Sequence, residues 1–487
     1  MAMKYFVLSS ILTIFFSVGI CFSQTQTDSP PDSVVKAREM LKKGQFTKAQ
    51  EMLEESLKNA SEQQKEQIRW EIERIRRIKL DYGDTEKEIL NQCERRIKNF
   101  KPEELEKWEK QGKFDVRLID GKKRYFNASV SNLAKRYRDI RVRFNNYSEE
   151  DNWGKKVLKM AKTIKKARKN SKSMYVTPVR LGAKHTIYPK DEYYSPGEEV
   201  RVWMPFPRET DYQRNIEIIN ATPEPSNIDD PKSIIRSVYF EQTSPEKEPP
   251  TFTLHYEFTR YGICPEVDPE KVTEYKNMDI YTKFTSEEKP NIVFTPEIAE
   301  LTKKIIGEET NPYLKGKIIY NWISEYIVYS YAREYSTLLN IPEYVLENRY
   351  GDCGQLGLLF ITMCRSAGVP AAWQSGWECM GKESWGLHDW TSIYIEPYGW
   401  IPVDPFMGVW AEHESTLPDE DREIIKEFYY GNMDPWRLEA NAANNAQLKP
   451  EKIDFRSETV DFQRGEIEAG GENLFFGQLR RNMKVPK

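Results

Sequence analysis

The chain has 487 residues, 39% hydrophobic and 30% charged, with a mean hydropathy of −0.72. Its 22 Phe, 12 Trp and 27 Tyr exclude a disordered or low-complexity chain, and the length allows about three domains. The net charge of −4 conceals an asymmetry: residues 36–175 carry 38 Lys and Arg against 23 Asp and Glu, whereas residues 176–487 carry 33 against 51. That distribution excludes a uniformly basic nucleic-acid binder and gives two halves that attract each other.

The N-terminus reads as an export signal. Lys4 is the only charge before Asp28, residues 5–22 are apolar, and Cys21 and Ser23 place small side chains before Gln24. This predicts a signal peptide over 1–23 and a mature protein in the periplasm, at the cell surface or outside the cell. An uncleaved anchor helix is the rival, but the apolar run barely reaches membrane-spanning length. A lipoprotein at Cys21 is disfavoured by bulky Ile20. Removal of the signal leaves Cys93, Cys264, Cys353, Cys364 and Cys379, an odd number, so at least one thiol stays free. The cysteines and the four histidines lack metal-ligand spacing, and no metal or cofactor is expected.

Residues 24–175 read as a basic helical region. Ala37, Leu41, Gly44, Phe46, Ala49 and Leu53 fit a helical hairpin with its turn at Gly44, and one such unit is too few for a solenoid. Asp120-Gly121 marks a turn that interrupts the helices. Residues 155–172 hold nine Lys and Arg and no acid, with Val157, Met160, Ala161, Ile164 and Ala167 on one face. Such a helix either packs by that stripe or lies on a membrane surface. Residues 176–285 alternate apolar and polar side chains, as at Phe252, Leu254, Tyr256 and Phe258, between Pro- and Gly-rich breaks, which predicts a β-sandwich. Residues 286–415 mix helix and strand. Thr295 and Pro296 are a helix start, 315–331 reads as a second helix, and strands follow Cys353. Residues 416–487 are a C-terminal extension with a helix over 423–430 and late strands. The fold class is therefore α+β and multidomain.

Gly351-Asp352-Cys353-Gly354-Gln355 precedes an apolar run that stops at Gly368-Val369-Pro370, so Cys353 sits at a helix N-terminus. Unpaired N–H groups and the helix dipole there favour a thiolate, and the backbone can serve an oxyanion. His388 opens a strand, residues 397–399 turn the chain, and Asp404 lies on the return strand. A tight turn at Tyr398 sets Asp404 nearer Ser392 than His388, so their meeting calls for a bulge or twist. An Asp behind a His fixes the tautomer and stabilises the imidazolium.

Tyr350-Gly351-Asp352-Cys353-Gly354, His388-Asp389-Trp390 and Gly399-Trp400-Ile401-Pro402-Val403-Asp404-Pro405 resemble the transglutaminase-like superfamily, a branch of papain-like cysteine enzymes. The resemblance covers about residues 290–410. It implies helices on an antiparallel sheet and a Cys353–His388–Asp404 triad that forms a thioester with a peptide, protein or related amide. The segment from Tyr430 to Arg437 is similar to secreted bacterial members. Phe406-Met407 departs from the Thr that many members carry after the Asp-Pro pair. The second oxyanion donor is open among Trp322, Tyr329 and Gln355. Hydrolysis is the expected outcome; the alternatives are protein crosslinking, or a scaffold protein with a relic core. Trp373, Trp377, Trp385 and Trp390 are either core or an aromatic cleft.

Overall fold

The computed structural model describes residues 29–380 and 383–486, so the expected signal peptide lies outside the described residues. Apolar spacing, caps and a tight turn shape the helical region. Helices Asp32–Lys42 and Phe46–Leu57 form the expected hairpin, and helix Glu62–Asp81 closes it over Ala37, Phe46, Leu53, Ile75 and Ile78. Gly44 sits at φ +75°, and a Cβ there would lie 2.8 Å from the Leu118 carbonyl oxygen. Asp120 and Gly121, both at positive φ, turn a two-stranded hairpin of Val116–Ile119 and Lys122–Tyr125. The basic helix runs Asn152–Lys169. Its Val157, Ala161 and Ile164 are buried against a cluster that includes Trp410, Phe428 and Met433. No described helix is long and apolar enough to cross a membrane.

The sandwich draws on both sides of the segment that supplies no sandwich strand, residues 264–465. One sheet runs Leu479–Lys484, Tyr175–Pro189, Phe252–Ile263, Gln213–Thr222. The other runs Glu472–Leu474, Glu466–Ala469, Glu199–Pro205, Ser237–Thr243, Asn227–Ile228. Residues 416–487 thus supply strands to the sandwich, and one more to the sheet that follows. Phe252, Leu254, Tyr256 and Phe258 are buried at every second position, as the alternation predicted.

The third sheet carries the site and is antiparallel, in the order Gly399–Val403, Gly386–Ile395, Ala371–Glu378, Arg437–Asn441. Helix Cys353–Ser366 packs on it with Gly357 against Thr391 and Trp373. Trp377, Trp385, Leu438 and Ala440 extend into the sandwich core, so the two units share apolar packing. Trp373 and Trp390 are buried as well, which makes all four tryptophans core and leaves no aromatic cleft among them.

The helix at Thr295 forms as expected, Pro296–Ile306, with the Thr295 hydroxyl accepting from the Ile298 N–H. The helix expected over 315–331 is instead Pro312–Tyr326. β-Branched Ile327 and Val328 turn extended, and Val328–Tyr329 pairs in parallel with Tyr350–Gly351. The Val328 N–H donates to the Arg349 carbonyl at 3.0 Å, and the Ser330 N–H to that of Gly351 at 2.9 Å. This short pairing positions the residues that lead into Cys353.

The helical region grips the same stretch. Asn132 exchanges two hydrogen bonds with the Tyr331 backbone, at 3.1 and 2.8 Å. Arg74 donates to the Thr337 carbonyl at 3.1 Å, and Tyr350 donates its hydroxyl proton to Asp115 at 2.5 Å. Lys135–Glu414 at 2.7 Å and Lys162–Asp421 at 3.2 Å join the basic half to the acidic half, as the charge distribution anticipated.

Glu466 ties the tail to the sandwich. It is fully buried and holds Arg456 at 2.8 Å and Lys452 at 3.1 Å. Burial pushes its carboxyl up, but the two cations outweigh burial and bring it from 4.5 to about 2. A carboxyl lowered by folding stabilises above its unfolded value and loses that contribution as pH falls. Glu466→Gln should therefore cost about 3–5 kcal/mol at pH 7, because buried Arg456 loses its carboxylate partner and buried Lys452 the nearer of its two. In denaturant titrations the cost should shrink as pH falls from 4.5 towards 2.

Candidate active site

Asp404 is the best-supported group in the site. It caps helix Pro405–His413, with Oδ1 accepting from the Met407 N–H at 3.2 Å. Its Oδ2 lies 2.8 Å from His388 Nε2 and 2.7 Å from Arg437 Nη1. All three side chains are almost fully buried. Burial raises the Asp404 carboxyl, but His388 and Arg437 more than offset this and hold it below the usual carboxylate range. An ionised Asp404 only accepts, so His388 Nε2 carries the proton and Nδ1 is the basic nitrogen.

The ladder explains how these residues meet. Thr391 pairs with Val403 and Ser392 with Pro402 in unbroken register. Continuing it sets Asp404 opposite Trp390, on the same face as His388 and one diagonal step away. Of the bulge or twist expected, the unbroken register excludes the bulge: a regular diagonal, with Asp404 leaving the strand as a helix cap, brings the pair together.

Arg437 was not anticipated as a site residue. It stands at the start of strand Arg437–Asn441, with Nε donating to Asp434 Oδ2 at 2.8 Å. Tyr429 donates to the same Asp434 oxygen at 3.1 Å. The signal was the segment from Tyr430 to Arg437, whose resemblance was noted without a role. Phe406, the departure from the family pattern, lies edge-on to the His388 ring at 5.3 Å and to Tyr329 at 5.0 Å. It walls the imidazole with apolar surface.

Cys353 begins its helix as expected. Asp352 is the cap and Gln355 completes a capping box. Of the five described cysteines, Cys353 alone is not buried. Its thiol donates to Asp389 Oδ2 at 3.7 Å. Among the described residues no hydrogen bond joins Cys353 to His388; the contact is with the next residue of the same strand. The helix N-terminus was expected to lower the thiol. Although the residue keeps some exposed surface, desolvation of the sulfur by the side chains packed around it, then the charges of Asp389 and Asp352, override it and push the thiol well up, against a partial offset from an Asp389 backbone hydrogen bond.

Asp389 escaped notice because alternation along a strand turns it away from His388. It is buried, and Oδ1 accepts from Gln463 Nε2 at 2.7 Å, the same amide that donates to the His388 carbonyl at 3.0 Å. Among the oxyanion candidates, Gln355 has a buried Nε2 with no partner among the described residues, and the Tyr329 hydroxyl is pushed up by burial first and then by nearby Cys353. Trp322 stacks on Tyr326 with Arg349 over its face. Among the described residues no group of three His, Cys, Asp or Glu side chains is arranged to hold a metal ion.

Residues 299–405 match the family model of the transglutaminase-like superfamily. An uncharacterized protein of Haemophilus influenzae is 26% identical over 219 residues, 39% of this chain and 57% of its own length. The uncharacterized protein YebA of Bacillus subtilis is 23% identical over 168 residues, 31% of this chain and 22% of its own length. The chain therefore spans only part of each of these relatives. A candidate cysteine protease of Cytophaga hutchinsonii superposes with TM-score 0.41 at 14% identity, covering 64% of this chain and 92% of that one. The periplasmic domain of TgpA from Pseudomonas aeruginosa gives 0.25 at 11% identity, covering 56% and 95%. By the family match, residues 299–405, which include Cys353, His388 and Asp404, belong to the transglutaminase-like superfamily.

Proposed function

We propose that this chain is an exported cysteine enzyme that hydrolyses peptide or related amide bonds through Cys353, His388 and Asp404. The observation that carries the reading is the buried His388–Asp404 pair at 2.8 Å, on the strand against which the partly exposed Cys353 rests. In this mechanism His388 Nδ1 takes the thiol proton and Cys353 Sγ attacks the amide carbonyl carbon. The oxyanion collapses, the C–N bond breaks, and the imidazolium returns the proton to the departing amine. Water then attacks the thioester with His388 again as base. Asp404 holds the imidazole and stabilises its charged form, and Arg437, itself held by Asp434, holds Asp404. Export rests on the N-terminal pattern of charge, apolar run and small residues. Contact with a membrane surface through 155–172 would have to use lysine charges alone, because the apolar stripe of that helix is already covered.

The deciding experiment is capture of the acyl-enzyme. Incubation with a peptide or cell-envelope extract, acid quench and mass spectrometry should find an acyl fragment on Cys353, and none in Cys353→Ala. Transfer of the fragment to an added amine faster than to water would identify a crosslinking enzyme. No adduct, with Cys353 alkylating no faster than the four buried cysteines, would identify a scaffold.

Asp404→Asn should keep the fold but weaken the hold on the imidazole tautomer. A fall in kcat of roughly 10- to 1,000-fold is expected, less than in a serine triad because a thiol is the more acidic nucleophile. Steady-state kinetics on the substrate identified above provides the check. N-terminal sequencing of protein from the native host should begin at Gln24; intact Met1 in the cytosolic fraction would end the export proposal.

A further inference from the structure

Resting on the assignment of Cys353 as nucleophile, we propose that Asp389 is a further catalytic residue of this site. Its neutral carboxyl supports the Cys353 thiolate, and its ionised carboxylate holds the thiol protonated and idle.

The contact is direct: Asp389 Oδ2 is the oxygen 3.7 Å from Cys353 Sγ. It is also built. Gln463 from the tail fixes Oδ1, and Gly354, the residue after the nucleophile, leaves the space that Oδ2 occupies. A Cβ on Gly354 would come within 2.6 Å of Oδ2 and would also fall on the Tyr335 hydroxyl.

The surroundings set which form Asp389 takes. Asp352 faces it from the start of the nucleophile helix, and Asp461 and Glu458 from the tail. Tyr335 lies beside it and donates to Asp352 Oδ1 at 2.7 Å. Positive charge on this side comes from Arg464, held by Glu458 and Glu334, and from Arg456, held by Glu466. His388 is adjacent on the strand, with its ring engaged by Asp404. Across the ladder stands Ser375, which bears no charge. Burial first, then Asp461, Asp352 and Glu458, push the Asp389 carboxyl well above its ordinary range.

The proton count separates two states. With Asp389 neutral, the Cys353 proton moves to His388, and the carboxyl O–H, which Asp389 keeps throughout, donates to the sulfur anion. With Asp389 ionised, the thiol donates to Oδ2, and losing its proton would set two anions side by side. The pair therefore titrates as a unit and activity has an alkaline limit.

The test is the pH dependence of iodoacetamide alkylation at Cys353 in the full-length protein, followed by peptide mapping. Asp389→Asn keeps a hydrogen-bond donor but cannot ionise. Its profile should lose one of the two wild-type steps, with the rate at pH 8 rising on the order of tenfold, the equivalent of one pKa unit. Glu458→Gln guards against misfolding of that variant. Removing a like charge favours ionised Asp389, so the alkaline limit should move to lower pH. A wild-type profile in both variants, with Cys353 still the fastest thiol, overturns the role of Asp389. If another cysteine labels first in every form, the nucleophile assignment fails instead.

Discussion

A carboxylate kept charged in a dry interior is the constraint on which the rest of the site depends. Asp404 has no exposed surface, and an isolated buried carboxylate would take up a proton. Arg437 prevents this, and Arg437 is itself tolerable only because Asp434 takes its other edge at 2.8 Å. The faces of Trp390 and Tyr429 lie 5.2 and 5.5 Å from the same guanidinium. The chain His388–Asp404–Arg437–Asp434 thus alternates base, anion, cation and anion. Removing one member would strand its neighbours, so the imidazole is oriented by a structure much larger than the residue that touches it.

The sulfur side is built on the opposite principle. The charged side chains on this side are mostly acidic, with Asp352, Asp389, Glu458 and Asp461 acting on one another and Arg464 the main counterweight. A helix N-terminus favours an anion by a modest amount within its first turn. When ionised, Asp389 at 3.7 Å is a closer and stronger influence. The two halves of the site therefore push in different directions: one fixes a charge, the other discourages one.

Much of this was legible from local patterns. Alternation over 252–258, the Thr295 cap, the Asp120-Gly121 turn and the Cys353 helix start each depend on neighbouring residues, and each formed. The parts that were not legible depend on contacts distant in sequence. The pairing of Val328–Tyr329 with Tyr350–Gly351 ended a helix whose apolar spacing ran on. Arg437 meets Asp404 across 33 positions of sequence through strand order. Asp389 carries no role in the sequence pattern, because its contact with Cys353 exists only once helix Cys353–Ser366 is docked on its strand. The diagonal reach of Asp404 to His388 required the ladder itself, because a turn-based count places Asp404 one step out of reach.

The sandwich has a further consequence through its order of assembly. Strand Tyr175–Pro189 pairs with Leu479–Lys484, and strand Glu199–Pro205 pairs with Glu466–Ala469. The whole of residues 264–465 is thus threaded between early strands and the late ones that cover their edges. A chain emerging from its N-terminus presents both edges unpaired while more than 200 further residues are made. Open edges template pairing with other chains. Such a chain needs either shelter during that interval or fast passage through it, and a chain interrupted before residue 466 would leave the site's supporting sandwich permanently open.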